Sequence, residues 1–204
     1  MIPETRVYLV TYVEVRPTAV AETRAMLARY REATRTANGN LRCEVLQRIG
    51  EPHQLVVLET WRDQAAADAH AQGALAKETR ERIAAVRNAP TDDRVHAPLT
   101  VADATTPPPG ALHVVTHVDV IPPRKDDGAA ALNRLAEESR RHAGNLRFEV
   151  VQQLTRPNHF TVMEAWKDAG AFETHTMADA TRAFRDALAP ATGALYDERR
   201  YLAL

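Results

Sequence analysis

Residues 40–47 read NLRCEVLQ and residues 145–152 read NLRFEVVQ. The two runs lie 105 residues apart, and the same offset, without a gap, aligns Val10-Thr11 with Val115-Thr116, Pro17 with Pro122 and Pro52 with Pro157. It continues through Glu59/Glu164, Trp61/Trp166, Asp63/Asp168, His70/His175 and Arg80/Arg185 to Asp92/Asp197, Arg94/Arg199 and Leu99/Leu204. A register held over a whole unit marks a tandem repeat. The stretch outside it, TVADATTPPPGA at 100–111, carries three consecutive prolines, which cannot donate ladder hydrogen bonds and favour a stiff, extended connector. The expected organisation is a first repeat over 1–99, a linker over 100–111 and a second repeat over 112–204.

Each repeat reads as the same series of elements. Residues 7–15 and 112–120 are rich in valine and aromatic residues and read as strands. Apolar residues at helical spacing (Val20, Leu27 and Tyr30; Leu132, Leu135 and Ala136) predict helices over 19–36 and 124–142. Gly39 and Gly144 stand where a helix C-terminal glycine belongs. Strands follow at 41–49 and 54–61, with counterparts at 146–154 and 159–166. Asp63 and Asp168 suit the N-cap of a second helix, broken near Gln72-Gly73 and Met177-Ala178, before a last strand at 94–99 and 199–204. The order βαββαβ is the ferredoxin-like unit. Its sheet is apolar on both faces, so both need cover. The fold expected is therefore α+β: two ferredoxin-like repeats forming an intramolecular dimeric α/β barrel, a pseudo-dimer within one chain.

Composition excludes several classes. With 26 Lys and Arg against 27 Asp and Glu the formal net charge is −1, so no field draws nucleic acid or anionic membrane. A single cysteine, Cys43, forms no internal disulfide and fits a reducing compartment. No apolar run reaches the ~18 residues of a membrane span, and MIPETRVYLV lacks a signal-peptide pattern. The expectation is a cytoplasmic protein. Phosphate-binding glycine loops, CxxC pairs, dinucleotide fingerprints and metal-ligand spacings are missing, so neither cofactor nor metal is expected.

The runs GNLRFEVVQ (144–152) and FTVMEAWKDAGAFETH (160–175) resemble the antibiotic biosynthesis monooxygenase family of the dimeric α/β-barrel superfamily. The resemblance covers nearly the whole chain, once per repeat, through E-x-W, a polar cap and a histidine nine residues after the tryptophan. It implies cofactor-free oxygenation of quinols or anthrone-like polyketide aromatics, although relatives also degrade haem or isomerise lactones, and fold alone does not settle function. Haem-degrading relatives carry a later histidine in the second helix, where this chain has Arg80 and Arg185. They carry an asparagine where it has Thr11 and Thr116, and a tryptophan where it has His70 and His175.

His70 and His175 are the histidines that coincide in the repeat. An imidazole titrating near pH 6.5 suits proton abstraction from a phenol; it equally suits packing between helix and sheet. Trp61 and Trp166 read as pocket wall or as core anchoring strand to helix. Thr11 and Thr116 suit a ligand carbonyl or a backbone group, and Asn40 and Asn145 follow a glycine in turn chemistry or touch substrate. With the hairpin centred on residues 51–52, Glu44 and Glu59 are expected opposite each other beside Arg42, as an ion-pair network. All four phenylalanines, Phe148, Phe160, Phe172 and Phe184, fall in the second repeat, opposite Cys43, Leu55, Ala67 and Thr79; the first repeat then has less to fill its interior.

The leading expectation, which the resemblance implies, is a cofactor-independent monooxygenase acting on a quinol or polycyclic phenol. His70 and His175 are its catalytic candidates, and Thr11, Thr116, Asn40, Asn145, Trp61 and Trp166 line its sites. Its partners are a small aromatic substrate and O2, with further homo-oligomerisation left open. The alternative is a non-catalytic protein of the same fold that binds a small aromatic ligand; a haem or lactone enzyme ranks below both.

Overall fold

The computed structural model describes residues 5–102 and 106–204; residues 103–105 of the expected linker lie outside it. The strands are β1 (Val7–Glu14), β2 (Asn40–Arg48), β3 (Gln54–Trp61), β4 (Asp92–Thr100), β5 (Leu112–Asp119), β6 (Asn145–Gln153), β7 (His159–Trp166) and β8 (Asp197–Ala203). The helices are α1 (Val20–Arg35), α2 (Gln64–Gln72), α3 (Ala74–Val86), α4 (Lys125–Ser139), α5 (Ala169–Thr176) and α6 (Asp179–Leu188). Each repeat is a ferredoxin-like βαββαβ unit with its second helix in two pieces. The strands form an eight-stranded antiparallel closed barrel in the order β1-β3-β2-β8-β5-β7-β6-β4.

The chain divides into two compact units, one running through His96 and taking in Leu202–Leu204, the other Ala97–Tyr201. The unit boundaries therefore fall inside the last strand of each repeat. In the first unit the start of β4 pairs with β1, Tyr8 opposite His96 and Tyr12 opposite Asp92. The end of β8 joins the same unit, where the Leu204 amide donates to the Val45 carbonyl at 3.0 Å and its side chain packs on a core of Val13, Met26, Leu27, Val45, Leu55 and Ile83. The second unit takes the end of β4: Leu99 packs on the core around Leu132, Phe148, Phe160 and Phe184, and Arg140 donates to the Thr100 carbonyl at 3.0 Å.

Local chemistry explains the elements. Helix α1 follows a single 3-10 turn opened by Pro17 and buries Thr23, Met26, Leu27 and Thr34, one face at helical spacing. Asp63 and Asp168 are N-caps, each carboxylate accepting the backbone N–H three residues on at 2.8 Å. The break between α2 and α3 falls at Gly73, and that between α5 and α6 at Met177-Ala178. Ala178 adopts nearly the same extended backbone as Gly73, so the break does not require glycine. The repeated arginines stay with it: Arg80 donates to the Ala71 carbonyl at 2.6 Å and Arg185 to the Thr176 carbonyl at 3.2 Å.

Gly39 and Gly144 are not helix caps. Helix α1 ends four residues before Gly39, which instead makes the tight turn into β2 with φ +84°. A β-carbon there would stand 2.6 Å from the Ala66 β-carbon, and one at Gly144 2.6 Å from that of Ala171. Glycine thus serves both the left-handed backbone and the close approach of the second helix.

The expected facing of Glu44 and Glu59 is corrected by the register. Glu59 lies opposite Cys43, and Glu44 opposite Leu58. The hairpin is centred half a residue earlier than the proline suggested, with Gly50 at φ +82° and the Gln54 amide bonded to the Glu51 carbonyl. A slip of one residue moves a side chain to the other face of the sheet. Arg42 and Glu44 do approach each other, at 3.6 Å, and Arg147 and Glu149 do so at 3.7 Å. Glu59 belongs to the opposite face, beneath the helices.

Candidate functional site

Alternate residues of three adjacent strands floor a cavity of about 310 Å³ in the first unit: Leu9, Thr11 and Val13 of β1, Val57 and Glu59 of β3, Asp93 and Val95 of β4. Their common face follows from the registers that set Leu9 against both Glu59 and Val95, and Thr11 against both Val57 and Asp93. Helix α1 adds Leu27 and Tyr30. Helices α2 and α3 add Ala67, His70, Thr79, Arg80 and Ile83, with Gln64 and Asp68 from the start of α2. Aliphatic and polar side chains share the lining, with Thr11 and Asp93 paired on the floor, and Tyr30, Glu59 and His70 meet in one place.

That place is built from three elements. Strand β3 projects Glu59 and Trp61 to one side by its two-residue period, α1 brings Tyr30 and Thr34 one turn apart, and α2 brings His70. The Tyr30 hydroxyl donates to Glu59 Oε1 at 2.7 Å and lies 3.1 Å from His70 Nε2. The Thr34 hydroxyl stands 3.3 Å from the same nitrogen. Trp61 donates its indole N–H to Glu59 Oε2 at 2.8 Å and holds its ring 4.8 Å from that of His70. Burial lowers the His70 pKa; the Glu59 charge raises it and Arg80 lowers it. Burial first, then the Glu59 carboxylate, pushes the Tyr30 hydroxyl up, so it remains a donor at neutral pH.

The second unit repeats the frame and fills it. Trp166 donates to Glu164 Oε2 at 2.8 Å, stacks on His175 at 4.6 Å, and His175 Nε2 lies 3.8 Å from the same carboxyl oxygen. Leu135 occupies the position of Tyr30, so the bridging hydroxyl is missing. His142, in the place of Ala37, sets its Nδ1 3.0 Å from His175 Nδ1. Phe148 and Phe172 pack edge-on or tilted about the imidazole, which is only 4% exposed. Burial, then His142 and Arg185, lowers the His175 pKa to about 4. Glu164 is pushed up to about 8 by burial, against the Trp166 hydrogen bond that lowers it and with Glu198 raising it. A cavity of about 180 Å³ in this unit lies between α4 and α6 and touches neither His175 nor Thr116.

The sequence candidates thus separate. His70 and Thr11 line the first cavity, Thr11 donating to Asp93 at 2.8 Å. Trp61 and Trp166 are fully buried and back the histidines. Asn40 and Asn145 do not line either cavity; each amide donates to the carbonyl two residues on, at 3.3 Å, across a bulge that interrupts the pairing with β3 or β7. Thr116 is fully buried. Sequence reading missed Tyr30 as a site residue and assigned Glu59 to the wrong face. The signal available was Tyr30 and Thr34, two hydroxyls one helical turn apart where the other repeat has Leu135 and Ser139. Among the described residues no three of His, Cys, Asp and Glu stand close enough to hold a metal ion, and no helix is long and apolar enough to cross a membrane.

Comparison with known proteins agrees with the fold. The chain is similar over 99% of its length to 94% of a candidate monooxygenase from Fusobacterium nucleatum, with 15% identity and a TM-score of 0.88. A candidate monooxygenase from Lactobacillus acidophilus matches with 13% identity and a TM-score of 0.81, over 98% of this chain and 94% of that one. An anthrone oxidase-like protein matches with 14% identity and a TM-score of 0.74, over 98% and 92%. At these identities the likeness is one of fold. No curated protein sequence matches the chain. The family description "Antibiotic biosynthesis monooxygenase" matches residues 6–82 and again 111–187, and the chain belongs to that family as a tandem member.

Proposed function

We propose that the chain is a cofactor-independent monooxygenase that oxidises a quinol or a polycyclic, anthrone-like phenol with O2 in the cavity of its first repeat, with His70 as the base. The observation that carries this reading is the placement of an imidazole, linked through the Tyr30 hydroxyl to Glu59, in the wall of a cavity of about 310 Å³ lined by both aliphatic and polar side chains. That volume lies at the lower end of small-molecule sites and suits a ligand of two or three fused rings.

The chemistry needs little else. His70 takes the proton of the phenolic O–H, and the resulting anion is electron-rich enough to pass one electron to O2. The substrate radical and superoxide combine to a carbon-bound peroxide anion, which the imidazolium reprotonates. Loss of water converts an anthrone methylene to a carbonyl, or a hydroquinone to a hydroxyquinone, one oxygen atom of O2 entering the product and the other leaving as water. The protein supplies position, a base and water exclusion. The second repeat, packed around His175, supports the fold in this reading.

The test is O2 uptake and product formation with a naphthohydroquinone, compared with autoxidation in buffer and with an anaerobic control. Oxygenated product above the autoxidation rate is expected. Saturable binding with no excess O2 uptake would instead make the chain a ligand-binding protein.

A further inference from the structure

We infer that Tyr30 and Glu59 are positioning residues that fix the tautomer of His70, holding its proton on Nε2 and leaving the lone pair on Nδ1. The inference rests on the reading of His70 as the base and adds which of its nitrogens does the work.

The available protons fix the direction of each bond. The Glu59 carboxylate is an acceptor, and both its oxygens are engaged: Oε1 by the Tyr30 hydroxyl at 2.7 Å, Oε2 by the Trp61 indole at 2.8 Å. Tyr30 has a single hydroxyl proton and gives it to Glu59, which leaves only its oxygen lone pairs for His70. At 3.1 Å the contact between that oxygen and Nε2 is a hydrogen bond only if Nε2 is the donor. The Thr34 hydroxyl, 3.3 Å from Nε2, rotates to accept the same proton once Tyr30 has set the direction. The ring cannot turn freely to escape this choice, because Trp61 lies against it at 4.8 Å. A neutral imidazole with its proton on Nε2 carries its lone pair on Nδ1.

The same chain answers for the charged state. When Nδ1 takes a proton, Nε2 keeps its bond to Tyr30, and the Glu59 carboxylate behind the hydroxyl offsets the new positive charge without moving a proton itself. The groups around His70 are Glu59 from β3 and Tyr30 from α1, which favour the imidazolium, and Arg80 from α3, which opposes it. The second repeat lacks the arrangement. Leu135 replaces the hydroxyl, and His175 instead meets His142 through Nδ1, the atom of His70 that makes no hydrogen bond among the described residues.

The test is ¹⁵N NMR of the imidazoles in the full-length protein, with assignment by His70→Ala and titration of the wild type and Tyr30→Phe. The wild type is expected to show His70 with its proton on Nε2. In Tyr30→Phe the two tautomers should mix, the His70 titration should move to lower pH, and kcat should fall about ten-fold with KM changing less. A wild-type His70 protonated on Nδ1, or a Tyr30→Phe variant with unaltered tautomer and titration, would overturn the assignment. The wild-type spectrum decides the tautomer even if the variant does not fold. An Nε2-protonated His70 whose removal leaves O2 uptake unchanged would uphold the positioning assignment and remove the oxygenase reading. The reverse pair of results would do the opposite.

Discussion

Ala67 and Phe172 are the same position of the two repeats, and Ala67 lines a cavity where Phe172 is buried beside Trp166 and His175. One ring thus separates an open site from a filled one. Thr79 and Phe184 repeat the contrast one helix later: Thr79 borders the first cavity and the Phe184 ring joins the core of the second unit.

Ala67→Phe should therefore close the first cavity. Loss of quinol binding by at least ten-fold, ~1.4 kcal/mol, is expected, with a stability change between neutral and a loss of ~1–3 kcal/mol from overpacking. Isothermal titration with a quinone analogue, alongside urea denaturation, separates the two. Retained affinity would mean that the ligand sits elsewhere. The converse change, Phe172→Ala, should cost ~3–5 kcal/mol, as truncation of a buried ring does.

Gly39→Ala and Gly144→Ala should each destabilise by about 2 kcal/mol or more. Both positions need a left-handed backbone, and at both the new methyl would stand 2.6 Å from an alanine β-carbon of the facing helix. For a chain of this size that is a fall in Tm of roughly 5 °C. Gly50→Ala is the control: it shares the positive φ, but its β-carbon would meet nothing within 4 Å, so it should cost less.

Two buried groups of the second repeat set a pH dependence. Glu164 is raised from 4.5 to about 8. The folded state holds its proton where the unfolded state has lost it, so this contribution to stability is complete below about pH 4.5 and falls away as pH rises towards 8. His175 is lowered from 6.5 to about 4, so its contribution is present above pH 6.5 and lost as pH falls through 4. The two slopes oppose each other between 4.5 and 6.5, and above 6.5 only the decline from Glu164 remains. His96 of the first unit, lowered from 6.5 to about 4 by burial, adds a second rise below 6.5, so urea midpoints should be highest near pH 6.5 and fall from there to 8. Glu164→Gln, which keeps an acceptor for the Trp166 N–H, should flatten the upper part; an unchanged slope would show that Glu164 is ionised in the folded protein.

The sequence carried the architecture because a repeat constrains each element twice. Asp63 and Asp168 marked the same helix start, and the strand bounds derived for one copy were checked by the other. It did not carry the site, because the face of Glu59 depends on where a hairpin turns. Pro52 suggested a centre half a residue too late, and that error exchanged Cys43 for Glu44 as the partner of Glu59. Tyr30 reads as one more apolar position of an amphipathic helix, and only the fold shows its hydroxyl reaching both Glu59 and His70. The absence of phenylalanine from the first repeat was legible, since volume is a property of composition; that the space stays open was not, since neighbouring side chains decide whether a core closes.

Removing Leu202–Leu204 should weaken the first unit, since Leu204 packs on its core and bonds to Val45 and Arg31. A loss of about 1 kcal/mol is expected from the half-buried leucine, read as a lower urea midpoint together with weaker quinone-analogue binding. Unchanged values for both would remove this segment from the support of the cavity.

The most direct measurement is O2 uptake with a naphthohydroquinone by His70→Ala and His175→Ala, each checked by circular dichroism for a native fold. The two histidines share a position in the repeat and differ in everything around it. A fall in kcat/KM of ~100-fold or more is expected for His70→Ala, the scale of losing a general base, and a change under about two-fold for His175→Ala, well below that scale. Equal losses of about half in the two variants, or a loss confined to His175→Ala, would contradict that expectation.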